Sequence, residues 1–474
     1  MTGPVRGDPP DAVPGDSIDG EPLARRRLDG ERLAAANLRR WLTPGIGVKR
    51  WLLLTFAGLL ILSLGAAQVI RQVTRDVEPG GLTGAILDAI TFQFLPYSLR
   101  GLIVGIVGVT LLGVGAYRTI GALTAPFRPS RGGGRLVELI YQRKSLARGP
   151  RVVVIGGGTG QSTILRGLKE HTSNLTAIVA VADDGGSSGV LREELGIPPV
   201  GDIRRCLAAL ADEENLVGEV LEHRFAGSPT DAAPEGGGPL GGHAVGNILL
   251  AAMTQLEGGD FEEGVRRANR VLAVRGQVLP AAATPLVLHA RTRDGTVIDG
   301  QSVITKTSGI ERAWVTPADV AACEDALVAI AEADLIVLGP GSLYTSLLPS
   351  LLLPEIRDAV AASPALCVYV CNVATQDGET ADLDLAGHVE ALVAHAGPGI
   401  VDVVLANNRS TDPATLRPPA QPVRLTWPPT VPSAPRVVLD DVVDPGAGQR
   451  HDPDRLAAAV MRILDREGAA HRRA

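Results

Sequence analysis

The sequence predicts an α/β protein: an open parallel sheet carrying a small antiparallel β insertion. Three observations point there. Val152–Ala182 reads as a strand, a glycine cluster, a helix and a second strand, the βαβ unit that cradles phosphates. Several later apolar runs of strand length end in small polar residues. Alanine, valine, leucine and glycine dominate and aromatics are only 3%, a composition that suits closely packed layers.

Residues 1–48 are expected to be disordered, being rich in Pro, Gly, Asp and Arg over most of their length. Trp51–Ile70 is a run of twenty residues without a charge, and such a run crosses a hydrocarbon core of about 30 Å. A second run holds 17 uncharged residues between Arg100 and Arg118, slightly short for a span. Both lack the polar face of a buried helical hairpin. The first also starts too far in, and is too long, for a signal peptide. Residues 49–125 are therefore read as two transmembrane helices.

Basic residues set the orientation. Arg39, Arg40, Lys49 and Arg50 precede the first run, and Arg118, Arg128, Arg131, Arg135, Arg143 and Lys144 follow the second. Between the runs, Asp76, Glu78 and Asp88 cancel the basic excess. The expectation is a two-span cell-membrane protein with its termini and soluble domain in the cytoplasm. Residues 126–150 serve as a linker, 151–465 as the domain and 466–474 as a tail.

The domain opens on Val152–Ile155, then Gly156, Gly157, Gly158 and Gly160, then a helical segment Ser162–Lys169. No lysine follows the last glycine, so this is not a Walker A loop. In a dinucleotide fingerprint the third glycine would stand at Gln161, or in the other register at Thr163, so spacing does not support NAD. The turn still lets backbone approach a ligand and offers helix-start N–H groups to anionic oxygen. Gly157, Gly158, Thr159 and Gly160 are candidate contacts, with Ser162 a further hydroxyl.

The second strand, Ala177–Ala182, runs into Asp183, Asp184, two glycines, Ser187 and Ser188. Strand C-termini line the ligand crevice of an open parallel sheet. An acid there suits a ribose hydroxyl, a pair of acids suits Mg²⁺, and Asp-Gly is also ordinary turn chemistry. Asp183 and Asp184 are candidate metal ligands and, in an enzyme, candidate catalytic groups. Ser187 and Ser188 are candidate ligand contacts.

Ile203–Leu210 reads as a helix, with Asp202 either its cap or a catalytic group. Arg204 and Arg205 oppose the macrodipole there, which points to another use such as phosphate contact. Residues 226–242 are read as a mobile loop. His243 and Asn247 then stand at i, i+4 where another helix opens, with capping, core and catalytic roles all open.

Residues 271–315 switch to a β pattern, with Arg293-Asp-Gly295 as a hairpin turn, and are read as the insertion. A strand at Ala333–Leu338 leads into a second glycine and hydroxyl loop, Gly339, Gly341, Ser342, Thr345 and Ser346. Ala365–Asn372 is another strand, followed by Thr375 and Gln376, and Val401–Asn407 is the last. The proline-rich 412–435 is read as loose wrapping and Arg455–Leu464 as a terminal helix. So many strand ends of one chemistry argue for a single crevice, which adds Gly341, Ser342 and Thr375 to the candidate contacts.

The net charge of −7 gives no global electrostatic case for nucleic-acid binding. The four cysteines form no metal pattern, and Cys367 and Cys371 read as small buried hydrophobes on one face of a strand.

Taken together, VVVIGGGTGQSTILRGLK, AIVAVADDGGSSGVLR, PPVGDIRRCLAAL, GHAVGNILLAA and ADLIVLGPGSLYTSLLP resemble the gluconeogenesis factor (YvcK-like) family, related to the 2-phospho-L-lactate (CofD-like) transferases of coenzyme F420 synthesis. The resemblance covers about residues 151–465 in motif order. It implies a Rossmann-like three-layer α/β/α fold and a nucleotide-sugar ligand of the UDP-N-acetylglucosamine type. It also implies a carbon-source-dependent role in cell shape and wall synthesis. The positions matching ligand contacts are Gly157, Gly158, Thr159, Asp183, Asp184, His243, Asn247, Gly341, Ser342 and Asn372.

Two functions compete. One is a membrane-anchored regulator sensing nucleotide sugars at the inner membrane, with cell-wall synthesis proteins as further partners. The other is a Mg²⁺-dependent transferase moving a phosphorylated small acid, which needs positioning and metal electrostatics rather than a nucleophile. An NAD oxidoreductase is disfavoured by the broken fingerprint. No cofactor other than Mg²⁺ is implied, and a homo-oligomer is left open.

Overall fold

A computed structural model describes Leu59, Ser63 and residues 144–227, 240–410 and 413–471. The chain divides into two units, Met1–Ser130 and Arg131–Ala474. In the first, Leu59 and Ser63 are helical, and the Ser63 hydroxyl donates to the Leu59 carbonyl at 2.8 Å. The expectation of a two-span membrane protein is corrected here: among the described residues no helix is long and apolar enough to cross a membrane. Apart from Leu59 and Ser63, the runs at 51–70 and 101–120, with the regions 1–48 and 126–143, lie outside the described residues, as do 228–239 of the expected mobile loop.

The second unit is built on seven parallel strands. They are β1 (Val152–Gly156), β2 (Leu175–Val179), β3 (Gln277–Pro280), β7 (Leu335–Leu338), β8 (Leu366–Val370), β9 (Val403–Asn407) and β10 (Arg436–Asp440). Their order is β10-β9-β8-β7-β1-β2-β3. β1 pairs with β2 from Val152 opposite Leu175, and with β7 from Val152 opposite Leu335. The inner strands β1, β2, β7 and β8 are buried along their whole length, which is why they read as continuous apolar runs. Each valine, leucine or isoleucine so buried contributes about 1.5–3 kcal/mol.

Right-handed crossovers explain the layers. From β1 the chain moves to β2 and β3 in one direction, and from β7 to β8, β9 and β10 in the other. The crossover helices of the two halves therefore fall on opposite faces. Helices Gly158–Leu168, Gly201–Leu210 and Pro453–His471 pack in one group, and Glu324–Ala331, Leu348–Leu351, Pro354–Ala362 and Leu385–Ala396 in the other. The result is the expected Rossmann-like three-layer α/β/α arrangement, with a helical excursion, Gly186–Val271, between β2 and β3.

The insertion is smaller than the sequence predicts. It comprises β4 (Val287–Thr292), β5 (Val297–Asp299) and β6 (Ile310–Thr316), an antiparallel sheet in the order β5-β4-β6. Its first hairpin turns at Gly295 as expected. Gln277–Pro280 falls outside it and pairs with β2 as the parallel edge strand. The proline-rich segment holds little regular structure, a short turn at Pro413–Thr415 and a single bridge from Pro422 to Ala374; after it β10 closes the sheet, and β11 (Val443–Asp444) and β12 (Ala447–His451) form a hairpin. The last helix runs from Pro453 to His471, through most of the expected tail. All four cysteines are buried and unpaired.

Candidate functional site

The strand order reverses between β1 and β7, and the crevice outside the C-terminal ends at such a switch point is where ligands bind in open α/β sheets. A cavity of about 840 Å³ lies there. Its walls are the segments that follow β1, β2, β7 and β8, which the sequence predicts to share one crevice. Asn407 and Asn408, at the end of β9, line a smaller neighbouring cavity of about 220 Å³, and Asn372 and Val373 line both.

The glycine turn forms the floor. Gly158 has φ +66°, a left-handed conformation that favours glycine, and its N–H donates to Asp202 Oδ2 at 2.6 Å. A Cβ on Gly160 would overlap the Pro340 carbonyl, so the turn after β1 touches the loop after β7 backbone to backbone. Gln161, in the place of a third glycine, is fully buried. Its amide donates to the carbonyls of Val154 at 2.9 Å and Ile178 at 3.0 Å, tying β1 to β2. Thr159 lines the cavity, whereas the Ser162 hydroxyl turns back to the Thr159 carbonyl.

The acidic pair separates. Asp183 lines the cavity and accepts the Gly185 N–H at 3.1 Å. Burial, reinforced by the neighbouring Asp202, raises its carboxyl above the ordinary range. Asp184 turns to the insertion, where its Oδ1 accepts the Ser302 N–H at 2.9 Å. Asp202 does not cap its helix, whose cap position is Val200. It faces the cavity, bound to the Gly158 N–H and, at 2.6 Å, to Arg205. Among the described residues no cluster of three or more His, Cys, Asp or Glu is arranged for a metal ion. Of the carboxylates that a Mg²⁺ beside a phosphate would draw on, Asp183 and Asp202 line the cavity and Asp184 does not.

Arg204, His243 and Asn247 belong to one network. Arg204 lines the cavity with its guanidinium already engaged. Its guanidinium, 1% exposed, is held by Glu222 at 3.1 and 2.9 Å and by Asn247 Oδ1 at 2.9 Å. Asn247 donates to the Ser187 hydroxyl at 3.0 Å and more distantly, at 3.4 Å, to that of Ser188. His243 Nδ1 meets the same Ser187 hydroxyl at 3.0 Å. His243 precedes the helix Val245–Leu256 rather than sharing its face with Asn247. These side chains form a buried polar network that braces the start of the helix Gly186–Leu195, and of them Ser187, Ser188, Arg204 and Asn247 reach the cavity wall.

On the β7 and β8 side, Gly341, Ser342, Asn372 and Thr375 all line the cavity. Gln376 Nε2 donates to Ser342 Oγ at 2.7 Å. The buried Asn372 Nδ2 and Gln376 Oε1 have no hydrogen-bond partner among the described residues, leaving one donor and one acceptor at this wall. Glu379 is buried where the helical segment after Ser342 begins, accepting the N–H of Tyr344 at 3.0 Å and of Thr345 at 3.3 Å. An internal carboxylate thus holds that helix start, as Asp202 holds the Gly158 N–H in the glycine turn after β1.

Arg224, Gln301, Thr305, Arg417, Arg450 and His451 also line the cavity, and the sequence carries no signal for them. Each comes from a loop, the insertion or the C-terminal hairpin, outside any phosphate-binding motif. Arg205 was readable from its place at a helix start. Arg417 is carried by a strap pinned to the β8 wall, where Thr375 exchanges backbone and hydroxyl bonds with Gln421 at 2.7 and 3.0 Å. His451 Nε2 donates to the Cys371 carbonyl at 3.2 Å, and burial lowers its pKa to about 4, so at neutral pH it is a neutral donor.

Fold and site together define a Rossmann-like α/β protein with a glycine-walled crevice at the switch point of its sheet. Residues 152–427 match the family model described as 2-phospho-L-lactate transferase CofD. A chain from Nostoc sp. bearing the gluconeogenesis-factor name is 43% identical over 440 residues, 91% of this chain and 93% of that one. The gluconeogenesis factor of Bacillus subtilis is 50% identical over 260 residues, 55% of this chain and 79% of the relative. A crystal structure of a Bacillus halodurans protein superposes with a TM-score of 0.61 at 42% identity, covering 66% of this chain and 100% of that one. The chain belongs to the gluconeogenesis factor (YvcK-like) family, with a domain of the CofD-like superfamily.

Proposed function

We propose that this protein binds a nucleotide sugar of the UDP-N-acetylglucosamine type in the switch-point cavity and acts as a regulator that supports cell shape and wall synthesis according to carbon source. One observation carries the ligand class. The chain is net acidic, yet apart from Arg204, which Glu222 already pairs, the cavity is lined by four arginines (Arg205, Arg224, Arg417 and Arg450) against three aspartates (Asp183, Asp202 and Asp377). A local excess of cation beside a glycine turn suits a diphosphate. The volume suits a ligand larger than a phosphate, and the unpaired polar atoms of Asn372 and Gln376 suit its neutral part. The link to carbon metabolism rests on the name of the relatives, and the role in cell shape and wall synthesis on the family resemblance of the motifs. Isothermal calorimetry with UDP-N-acetylglucosamine tests the binding, and no heat at millimolar ligand would reject it.

A second reading, a transferase of the 2-phospho-L-lactate type, is favoured by the family-model match and by the carboxylates of Asp183 and Asp202 beside the glycine turn. A bound Mg²⁺ would supply charge neutralisation at a phosphate. Asp183 and Asp202 would hold it, while the glycine turn and Arg205 orient the phosphates. Incubation with a nucleotide-activated phospholactate, a deazaflavin acceptor and Mg²⁺ tests this reading, and absence of nucleotide release counts against it.

A further inference from the structure

The β insertion reaches back to the cavity through the short helical turn Gln301–Ile304, and that turn is held from two sides. On the β2 side, Asp184 Oδ1 accepts the Ser302 N–H at 2.9 Å. The other Asp184 oxygen lies where a Cβ on Gly300 would sit, so the carboxylate is seated in the bend with no room to spare. On the β8 side, Gly378 packs against the Thr305 carbonyl so closely that a Cβ there would overlap it. Strands β2 and β8 are separated in the sheet by β1 and β7. The turn is thus pinned to both flanks of the switch point.

Gln301 is the residue this arrangement presents to the ligand space. It lines the cavity, is half-buried, and its carboxamide makes no hydrogen bond to any described residue. A carboxamide both donates and accepts. It matches ring hydroxyls or an amide substituent, whereas phosphate oxygens are better served by the arginines and the glycine turn. A polar group carried on a backbone that is held before the ligand arrives discriminates against ligands that leave it unpaired.

We propose that Gln301 is a specificity-determining residue for the neutral sugar ring of the bound nucleotide sugar, and that Asp184 is the positioning residue that aims it. This rests on the nucleotide-sugar reading above. It gives Asp184 a role distinct from its neighbour: Asp183 faces the cavity, and Asp184 holds the turn that supplies the carboxamide.

The test is calorimetric titration of the full chain with UDP and, separately, with UDP-N-acetylglucosamine, on the unaltered protein and on Gln301→Ala, Asp184→Ala and Asp184→Asn. Gln301→Ala is expected to weaken UDP-N-acetylglucosamine about tenfold, the worth of one well-made hydrogen bond, and to leave UDP within about twofold. Asp184→Ala is expected to give the same split. Asp184→Asn keeps an oxygen that accepts the Ser302 N–H and is expected to restore most of the discrimination. Equal loss for both ligands, or no loss in Gln301→Ala, overturns the specificity role. Failure of Asp184→Asn to recover the split overturns the positioning role. If the unaltered chain binds neither ligand, the nucleotide-sugar reading fails and this inference falls with it. If it binds UDP and UDP-N-acetylglucosamine and only the split is missing, that reading stands and this inference alone is rejected.

Discussion

Asp202 Oδ2 accepts the backbone N–H of Gly158 at 2.6 Å, across 44 positions of sequence. The donor that opens the glycine turn, a ready seat for an anion, is thus engaged by a carboxylate from the helix Gly201–Leu210. The same carboxylate pairs with Arg205 at 2.6 Å, so one side chain locks the turn and holds a guanidinium at the cavity edge. A Cβ on Gly157 would lie 2.7 Å from that oxygen, which is why the contact needs glycine beside it.

Asp202→Ala is expected to lower stability by about 2 kcal/mol, the range of a hydrogen bond to a charged acceptor. The urea midpoint at unchanged m reads this. A midpoint equal to that of the unaltered chain would show that the contact contributes nothing.

Asp183 faces the same space, and its carboxyl is raised by burial and by Asp202. Protonation removes a negative charge from beside the phosphates. In metal-free buffer the affinity for UDP-N-acetylglucosamine is therefore expected to rise as pH falls through the raised pKa of Asp183. Asp183→Asn is expected to bind tightly at every pH, with the profile flattened. On the transferase reading the same variant loses Mg²⁺-dependent turnover, so calorimetry and nucleotide release together separate binder from enzyme.

Two glycine substitutions should move stability in opposite directions. A methyl group on Gly160 would overlap the Pro340 carbonyl, and Gly160→Ala is expected to cost about 1–3 kcal/mol and to abolish binding. Gly218 sits within the helix Glu214–Glu222 with open space around its Cβ position. Gly218→Ala is expected to stabilise by about 0.5–1 kcal/mol and to leave binding unchanged. Thermal or urea unfolding with a parallel titration checks both.

His451 supplies an acid-sensitive contribution. Burial lowers its folded pKa to about 4, against about 6.5 for the unfolded chain. Between those values the unfolded state takes up a proton that the folded state refuses. Stability from this group is complete above about pH 6.5 and is lost by about 3 kcal/mol as pH falls to about 4. His388 and His395, also lowered by burial, act with the same sign. His451→Gln is expected to reduce the slope of urea-derived stability against pH in that window, and an unchanged slope would refute the assignment.

Strands buried on both faces were legible because burial writes itself as an unbroken apolar run, as in VVVIG of β1 and LCVYV of β8. The edges were not. QVLP of β3 is as short as a hairpin strand and has antiparallel β structure after it, so its partner could not be told from pattern. β10 is half exposed and follows a proline-rich stretch, which hid it. In the site, the glycine turn, Asp183, Gly341, Ser342, Asn372 and Thr375 line the predicted crevice, whereas His243, and Arg204 at the cavity wall, serve a buried network whose other members, Glu222 above all, nothing local announces.

The sequence by itself determined the alternation of strands and helices, the glycine turn after the first strand and the family motifs that surround it. These depend on periodicity and backbone conformation, which are local. Only the tertiary structure decided that adjacent Asp183 and Asp184 diverge, one to the cavity and the other to Ser302, 118 positions away. It alone brought Arg224, Gln301, Arg417 and Arg450 to one cavity. The direction of a polar side chain is set by the partners that satisfy it when it leaves water, and here those partners come from distant parts of the chain.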